Sequence, residues 1–190
     1  YGLVGSEMCI RDRYQTGDLR YNAFFGTTTT GYSHGLTWPL LIKYHGNQDF
    51  INNYNILHVS MPKVFRLSEQ YLIRAEAYCR KKQFDKAMTD VQTLRKARIS
   101  SEGSSSLNLT EDNWLENISN ERVRELYMEG FRLNDLKRWG KGFTRTPQTQ
   151  SVSDGSSLKI DANNPLFVWP IPQHELDLPG SAIEPNESNK

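Results

Sequence analysis

The chain has 190 residues, the size of one typical domain (~100–200 residues), and 23 Lys plus Arg against 22 Asp plus Glu give a net charge of +1. That balance argues against nucleic acid as a main partner, because phosphate binding needs a basic surplus. Mean hydropathy is −0.66, and no apolar run approaches the ~18–20 residues of a membrane-spanning helix. Four Trp, nine Tyr and eight Phe indicate a folded chain rather than a disordered one. Two cysteines, Cys9 and Cys79, form neither a disulfide framework nor a zinc pattern, which fits a reducing compartment or an exported protein that does not rely on disulfides. The chain opens at Tyr1 with no charged segment leading into an apolar run, so if the parent protein is exported, this chain is expected to be a piece of it.

Residues 1–13 show no helical or strand periodicity. The run Val4 to Arg13 resembles translated sequencing-adapter DNA; an ordinary linker is the alternative, and in either case the segment stands outside the functional argument. Residues 14–65 form a loop-rich aromatic segment, with loop-like Thr27 to Gly31 and His45 to Asp49 and a β-prone run Leu40 to Tyr44 preceded by Pro39.

A helical region is expected over 66–145. Leu67, Tyr71, Ala75 and Tyr78 step by 4, 4 and 3, placing one face of a helix whose start Ser68 can cap. After the polar break Lys81 to Gln83, Phe84, Ala87, Val91 and Leu94 predict a second amphipathic helix. The short connection makes an antiparallel helical hairpin, and Ala75, Ala77 and Ala87 allow close approach. Ala75, Tyr78, Phe84 and Ala87 also carry half a tetratricopeptide signature, and one such repeat cannot cover its own face. Beyond the serine-rich loop Ser100 to Ser106, Thr110 is expected to cap one long helix running to Trp139. Val123, Leu126, Tyr127, Leu133 and Leu136 share its apolar side, Phe131 and Trp139 widen the burial, Gly130 marks a kink, and Gly140 and Gly142 end it. Residues 146–190 read as polar loop, a short strand Leu166 to Trp169 closed by Pro170-Ile171-Pro172, and a proline-broken tail from Pro179. The expected fold class is mainly α, with long aromatic-rich loops and a few short strands.

Three runs carry a resemblance to a known family. Arg66-Leu67-Ser68-Glu69 with Tyr71 to Tyr78 is the first. Glu121-Arg122, Glu125-Leu126, Glu129-Gly130, Arg132 and Asp135 to Trp139 reproduce an ER-x-x-EL…EG-x-R-x-x-DL-x-RW run. Trp169-Pro170-Ile171-Pro172 with Glu175-Leu176 is the third, and Asp18-Leu19-Arg20 upstream adds a weaker sign. In order and spacing this resembles the C-terminal portion of the SusD/RagB family, outer-membrane nutrient-binding lipoproteins of Bacteroidetes. The closing Leu178-Pro179-Gly180 and Glu184-Pro185-Asn186 depart from the family's usual ending. The resemblance implies a fragment of a larger SusD-like fold. It further implies non-catalytic glycan binding at the cell surface, delivery to a SusC-like TonB-dependent transporter, and membrane attachment only through an N-terminal lipid outside this chain. A helical-repeat scaffold for peptide or protein partners is the alternative reading.

The charged run reads as structural. Arg122 and Glu125, Glu129 and Arg132, and Asp135 and Arg138 are each three apart, the spacing of same-face helix pairs, and interleaved apolar residues require buried charges to be partnered. Catalysis by Glu125 with Glu129, or by Glu111 with Asp112, is not expected, since glycoside hydrolysis needs carboxyls on opposed walls of a cleft. His34, His45, His58 and His174 are isolated, so neither metal nor cofactor is expected. The aromatics of residues 21–54 suit sugar rings, whose C–H faces stack on aromatic planes while amides bond the hydroxyls. Tyr32, Trp38, Tyr44 and Asn47 are the glycan-binding candidates, with packing under their own loops as the plainer role.

Overall fold

The structure, a computed structural model, describes residues 13–28, 38–44, 46–54, 59–61, 63–101, 103–144, 159–180 and 182–189. These fall into two compact units that divide between Tyr127 and Met128.

The first unit opens with helix α1 (Leu19–Phe24) and strand β1 (Phe25–Thr28), which pairs antiparallel with β2 (Trp38–Leu41). The β-prone run thus lies two residues earlier than expected, and Pro39 sits inside the strand, opposite Thr27. A two-stranded ribbon has only edge strands, and an edge tolerates proline's missing donor. Helix α2 (Gln48–Tyr54) follows, started by Asn47, whose Oδ1 accepts the Asp49 N–H at 2.8 Å.

The expected hairpin is present as α3 (Leu67–Arg80) and α4 (Phe84–Lys96). Lys82, at φ 57°, turns the chain between them. In α3 the buried stripe is Ser68, Leu72, Ala75 and Cys79, rotated from the expected face. Leu67 points outward, and Tyr71 and Tyr78 are half-buried. Arg66, extended at φ −129° and ψ 135°, precedes the helix in place of Ser68, whose buried Oγ makes no hydrogen bond. The reason is that Glu69 and Glu76, as well as apolar residues, turn inward, and their carboxylates shift the buried arc. Helix α4 buries Ala87, Val91 and Leu94 as the periodicity requires. Ala75 and Ala87 lie wholly in the interface, whereas Ala77 is exposed. Arg74 of α3 holds Asp90 of α4 through two bonds of 2.8 and 2.6 Å. The core gathers Ala75, Cys79, Ala87, Val91, Leu109 and Ile118, with Tyr78, Phe84, Met88, Leu107 and Trp114 packed around it.

The single long helix expected from Thr110 to Trp139 is two helices, α5 (Trp114–Glu125) and α6 (Phe131–Trp139). Asn113 rather than Thr110 precedes α5, and its Oδ1 accepts the Thr110 N–H at 2.8 Å, closing the turn before the helix. Between the helices Met128 and Gly130 take φ of 61° and 82°, left-handed conformations that no continuous helix admits. Gly130 adopts its value without a Cβ penalty, so it starts α6 rather than kinking a longer helix. Gly140, at φ 61°, ends α6 as expected.

The second unit contains α6, a short antiparallel pair β3 (Phe143–Thr144) and β4 (Lys159–Ile160), and α7 (Gln173–Leu176). Leu166 to Trp169 is not a strand: Pro165–Phe167 is a 3₁₀ turn in which the Phe167 N–H donates to Asn164 O at 3.0 Å. Asn-Pro favours a turn, and the fixed φ of proline suits its first helical position. The tail folds back on this turn. Asn189 bonds both backbone groups of Ile171, at 3.0 and 2.8 Å, and Asn186 donates to Trp169 O at 2.9 Å. Helix α6 buries Asp135 and Leu136 but leaves Leu133 exposed and Trp139 half-buried, so it is not buried on more than one side.

Val64, Phe65 and Leu67, at the entry to α3, are exposed, Phe65 by 85%. An apolar patch of this kind marks a contact surface. The chain alone is therefore expected to self-associate as its concentration rises. Phe65→Ser should reduce that association in sedimentation velocity while leaving the melting temperature nearly unchanged. Core truncation should act oppositely: Ile118→Ala should cost about 2–5 kcal/mol, and half-buried Trp139→Ala less than the roughly 3–5 kcal/mol of a fully buried aromatic, as read by urea denaturation.

Candidate functional site

Two carboxylates one turn apart on α5 dominate the interior of the first unit. The side chains of Glu121 and Glu125 are exposed by 1% and 0%. Buried charges must be partnered, and these are partnered from three other segments as well as from α5 itself. Arg20 of α1 donates from Nη1 to Glu121 Oε1 at 2.7 Å and to Glu125 Oε2 at 3.2 Å. Its other nitrogens grip Asp18 in a two-pronged pair, Nε to Oδ1 at 2.8 Å and Nη2 to Oδ2 at 2.7 Å. Arg95 of α4 reaches Glu121 Oε2 at 3.0 Å, and Arg124 reaches the same oxygen at 3.2 Å. Arg98 forks onto both oxygens of Glu125 at 3.0 Å each, and Arg66 adds a bond of 2.7 Å to Oε1.

Backbone pairing brings these groups together. Leu19 N–H donates to Arg98 O at 2.9 Å, and Ser100 N–H to Gly17 O at 2.8 Å. Gly17 is required there: at φ 79°, a Cβ would lie 2.7 Å from Gly103 N. The serine-rich loop closes over Arg95, whose Nε donates to Ser105 O at 3.1 Å and Nη2 to Ser104 O at 2.9 Å. The C-terminal carbonyls of α5 are also met by cations. Lys43 Nζ lies 2.9 Å from Glu125 O and 3.0 Å from Tyr127 O, and Arg66 Nη1 lies 3.0 Å from Glu125 O.

Burial alone would raise the pKa of Glu125. The hydrogen bond from Arg98 and the charges of Arg98, Arg20 and Arg66 outweigh it and hold the carboxyl at about 2. Burial likewise opposes the charge on Arg20, but Asp18 and Glu121 more than restore it. Arg124 is shifted down chiefly by burial, and Tyr14, whose OH donates to Arg124 O at 2.9 Å, is shifted up for the same reason. A carboxylate so tightly bound by guanidinium groups can neither donate nor abstract a proton near neutral pH. The network's chemistry is that of a structural clamp.

One expected same-face pair is formed as its spacing requires. Asp135 and Arg138 pair at 3.1 and 3.0 Å, with the guanidinium 4.4 Å from the Trp139 ring centroid. Arg122 lies 3.8 Å from Glu69 of α3. Glu129 precedes α6, whose second residue is Arg132. Sequence spacing does not mark Asp18, Arg20, Arg66, Arg95 and Arg98 as ion-pair partners, though Asp18-Leu19-Arg20 and Arg66 stand in the motifs above.

Among the glycan-binding candidates, Tyr32 lies outside the described residues. Trp38 begins β2, opposite Thr28, rather than standing in a loop. Tyr44 is half-buried with the Lys43 ammonium 5.8 Å from its ring centroid. The Asn47 side-chain oxygen is taken up by the start of α2. A cleft of about 440 Å³ is lined by Tyr14, Gln15, Gly17, Tyr21, Asn22 and Ser100, close to the network. No cluster of metal-ligating side chains occurs among the described residues.

The family described as SusD matches residues 10–184. The chain belongs to the SusD family. Among solved structures, a SusD superfamily protein from Bacteroides thetaiotaomicron is similar with a TM-score of 0.74 at 21% identity, over 96% of this chain and 40% of that one. A SusD superfamily protein from Bacteroides vulgatus matches with a TM-score of 0.61 and 26% identity, over 89% and 34%. A SusD-like carbohydrate binding protein from Bacteroides vulgatus matches with a TM-score of 0.58 and 29% identity, over 73% and 28%. The chain thus spans well under half the length of these relatives. No curated protein matches it.

Removing one partner of a buried charge cluster leaves the others uncompensated, so Glu125→Gln should destabilise the protein by about 3–5 kcal/mol in urea unfolding. Glu111→Gln, which breaks an exposed pair with Lys82, should cost less than about 1 kcal/mol. The pH dependence follows from the depressed carboxyl. Its pKa falls from 4.5 to about 2 on folding, so its contribution is complete above about 4.5 and is lost as the pH drops through about 2. The urea midpoint, followed from pH 7 down to pH 2, should fall over that window, and less steeply in Glu125→Gln than in the parent.

Proposed function

We propose that the chain is part of a surface protein that binds glycan nutrients without cleaving them, as a SusD family member acting beside a SusC-like TonB-dependent transporter. The observation that carries this reading is family membership over residues 10–184, joined by a relative of 29% identity described as carbohydrate binding. The arrangement of charge supports a structural role for the charged run: Glu121 and Glu125 are sealed beneath arginines. In this reading the clamp holds a scaffold, and the aromatic segment before α3 meets the sugar. Tyr32, Trp38, Tyr44 and Asn47 remain the proposed contacts, stacking on pyranose faces and bonding hydroxyls. Attachment to the outer membrane is through a lipid on the parent protein, and the transporter receives the cargo.

Incubation of the full-length protein with the oligosaccharide it binds best should leave chain lengths unchanged by chromatographic product analysis after a day. Reproducible shortening that Glu125→Gln or Glu129→Gln abolishes would sink the non-enzymatic reading.

A further inference from the structure

The clamp around Glu125 carries more positive charge than its carboxylates offset. Asp18, Glu121 and Glu125 supply three negative charges. Arg20, Arg66, Arg95, Arg98, Arg124 and Lys43 bring six cations to them and to the carbonyls that end α5. Those carbonyls add only about half a negative charge. Both oxygens of each carboxylate are already bonded by arginine.

The surplus lies on the outer side. Arg20 and Arg95 are buried, whereas the side chains of Arg66 and Arg98 are exposed by 22% and 32%, and Lys43 is half-buried. Shared oxygens set these last three side by side. Arg66 Nη2 and Arg98 Nη2 meet on Glu125 Oε1 at 2.7 and 3.0 Å. Arg66 Nη1 and Lys43 Nζ meet on Glu125 O at 3.0 and 2.9 Å. The Phe24 ring, 4.2 Å from Lys43 Nζ, helps to hold the ammonium in place. Among the described residues Arg98 Nη1 bonds only the Ala97 carbonyl, at 3.4 Å, which is long for a hydrogen bond.

Like charges this close repel, and an anion among them removes the cost. A neutral ligand leaves the surplus standing, and a cation adds to it. The net charge of +1 argues against a polyanion. Guanidinium groups match oxyanions in fork geometry, and an ammonium serves them as a point charge.

We propose that Lys43, Arg66 and Arg98 form a binding site for one small oxyanion of the sulfate or phosphate class, which completes the charge balance of the clamp from the solvent side. The site does not depend on the glycan-binding reading. A bound anion favours the folded state and so raises its stability.

The test is calorimetric titration of the full-length protein with sodium sulfate and, separately, sodium phosphate, at ionic strength held constant with sodium chloride. The parent is compared with Lys43→Met and Lys63→Met. Lys63 is exposed and takes no part in the clamp, so its variant removes the same charge elsewhere. At least one of the two anions should bind saturably at a single site and raise the melting temperature, and the tighter of them identifies the preferred class. Lys63→Met should keep that affinity, and Lys43→Met should weaken it about fivefold or more. Crystals soaked in selenate, a sulfate analogue, should show an anomalous peak within hydrogen-bonding reach of Arg98 Nη1 and Lys43 Nζ, a readout that stands even where Lys43→Met fails to fold. No saturable binding of either anion, equal affinity in Lys43→Met and the parent, equal loss in both variants, or no selenate peak beside these residues would each overturn the site.

Discussion

Two carboxylates one helical turn apart, both withdrawn from water, impose the main constraint on this structure. Like charges at that spacing repel, and each loses its hydration on burial. The cost is offset only because Arg20 bridges the two, while Arg95, Arg98, Arg66 and Arg124 complete the neutralisation. Hydrophobic contacts tolerate small slips, whereas forked guanidinium–carboxylate pairs require defined angles. The cluster therefore fixes how α1, the entry to α3, the end of α4 and the whole of α5 meet.

That fixing has a consequence for where recognition can occur. The hairpin, α5 and the segment around Asp18 are cross-braced by charge and by the apolar core of Ala75, Cys79, Ala87, Val91, Leu109 and Ile118. By contrast, between β1 and α3 the described residues Phe50, Tyr54, Val59, Met61, Val64 and Phe65 are exposed. Rigid elements that position variable loops are a common division of labour in binding proteins.

The entry to α3 presents an exposed apolar surface. Val64, Phe65 and Leu67 are apolar and outward-facing, and a single helical hairpin of repeat type cannot cover its own faces. The structures it resembles extend well beyond the matched part, with this chain spanning 28%, 40% and 34% of them.

The sequence by itself determined the local elements. The 3–4 spacing of Phe84, Ala87, Val91 and Leu94 required an amphipathic helix, the polar break at Lys81 to Gln83 required a turn, and the charged run with its interleaved apolar residues required partnered charges. Local spacing could also anticipate the Asp135–Arg138 pair, because those residues share one helical turn. Only the tertiary structure decided which arginine serves which carboxylate. Glu121 and Arg20 are 101 residues apart, Glu125 and Arg66 are 59 apart, and no periodicity links positions whose proximity depends on chain crossing. The same reason governs the break at Met128 to Gly130 and the rotated face of α3. A glycine in a helical pattern reads equally as kink or boundary, and the inward side of a helix is chosen by its neighbours, which here supply Arg122 for Glu69 as well as apolar surface.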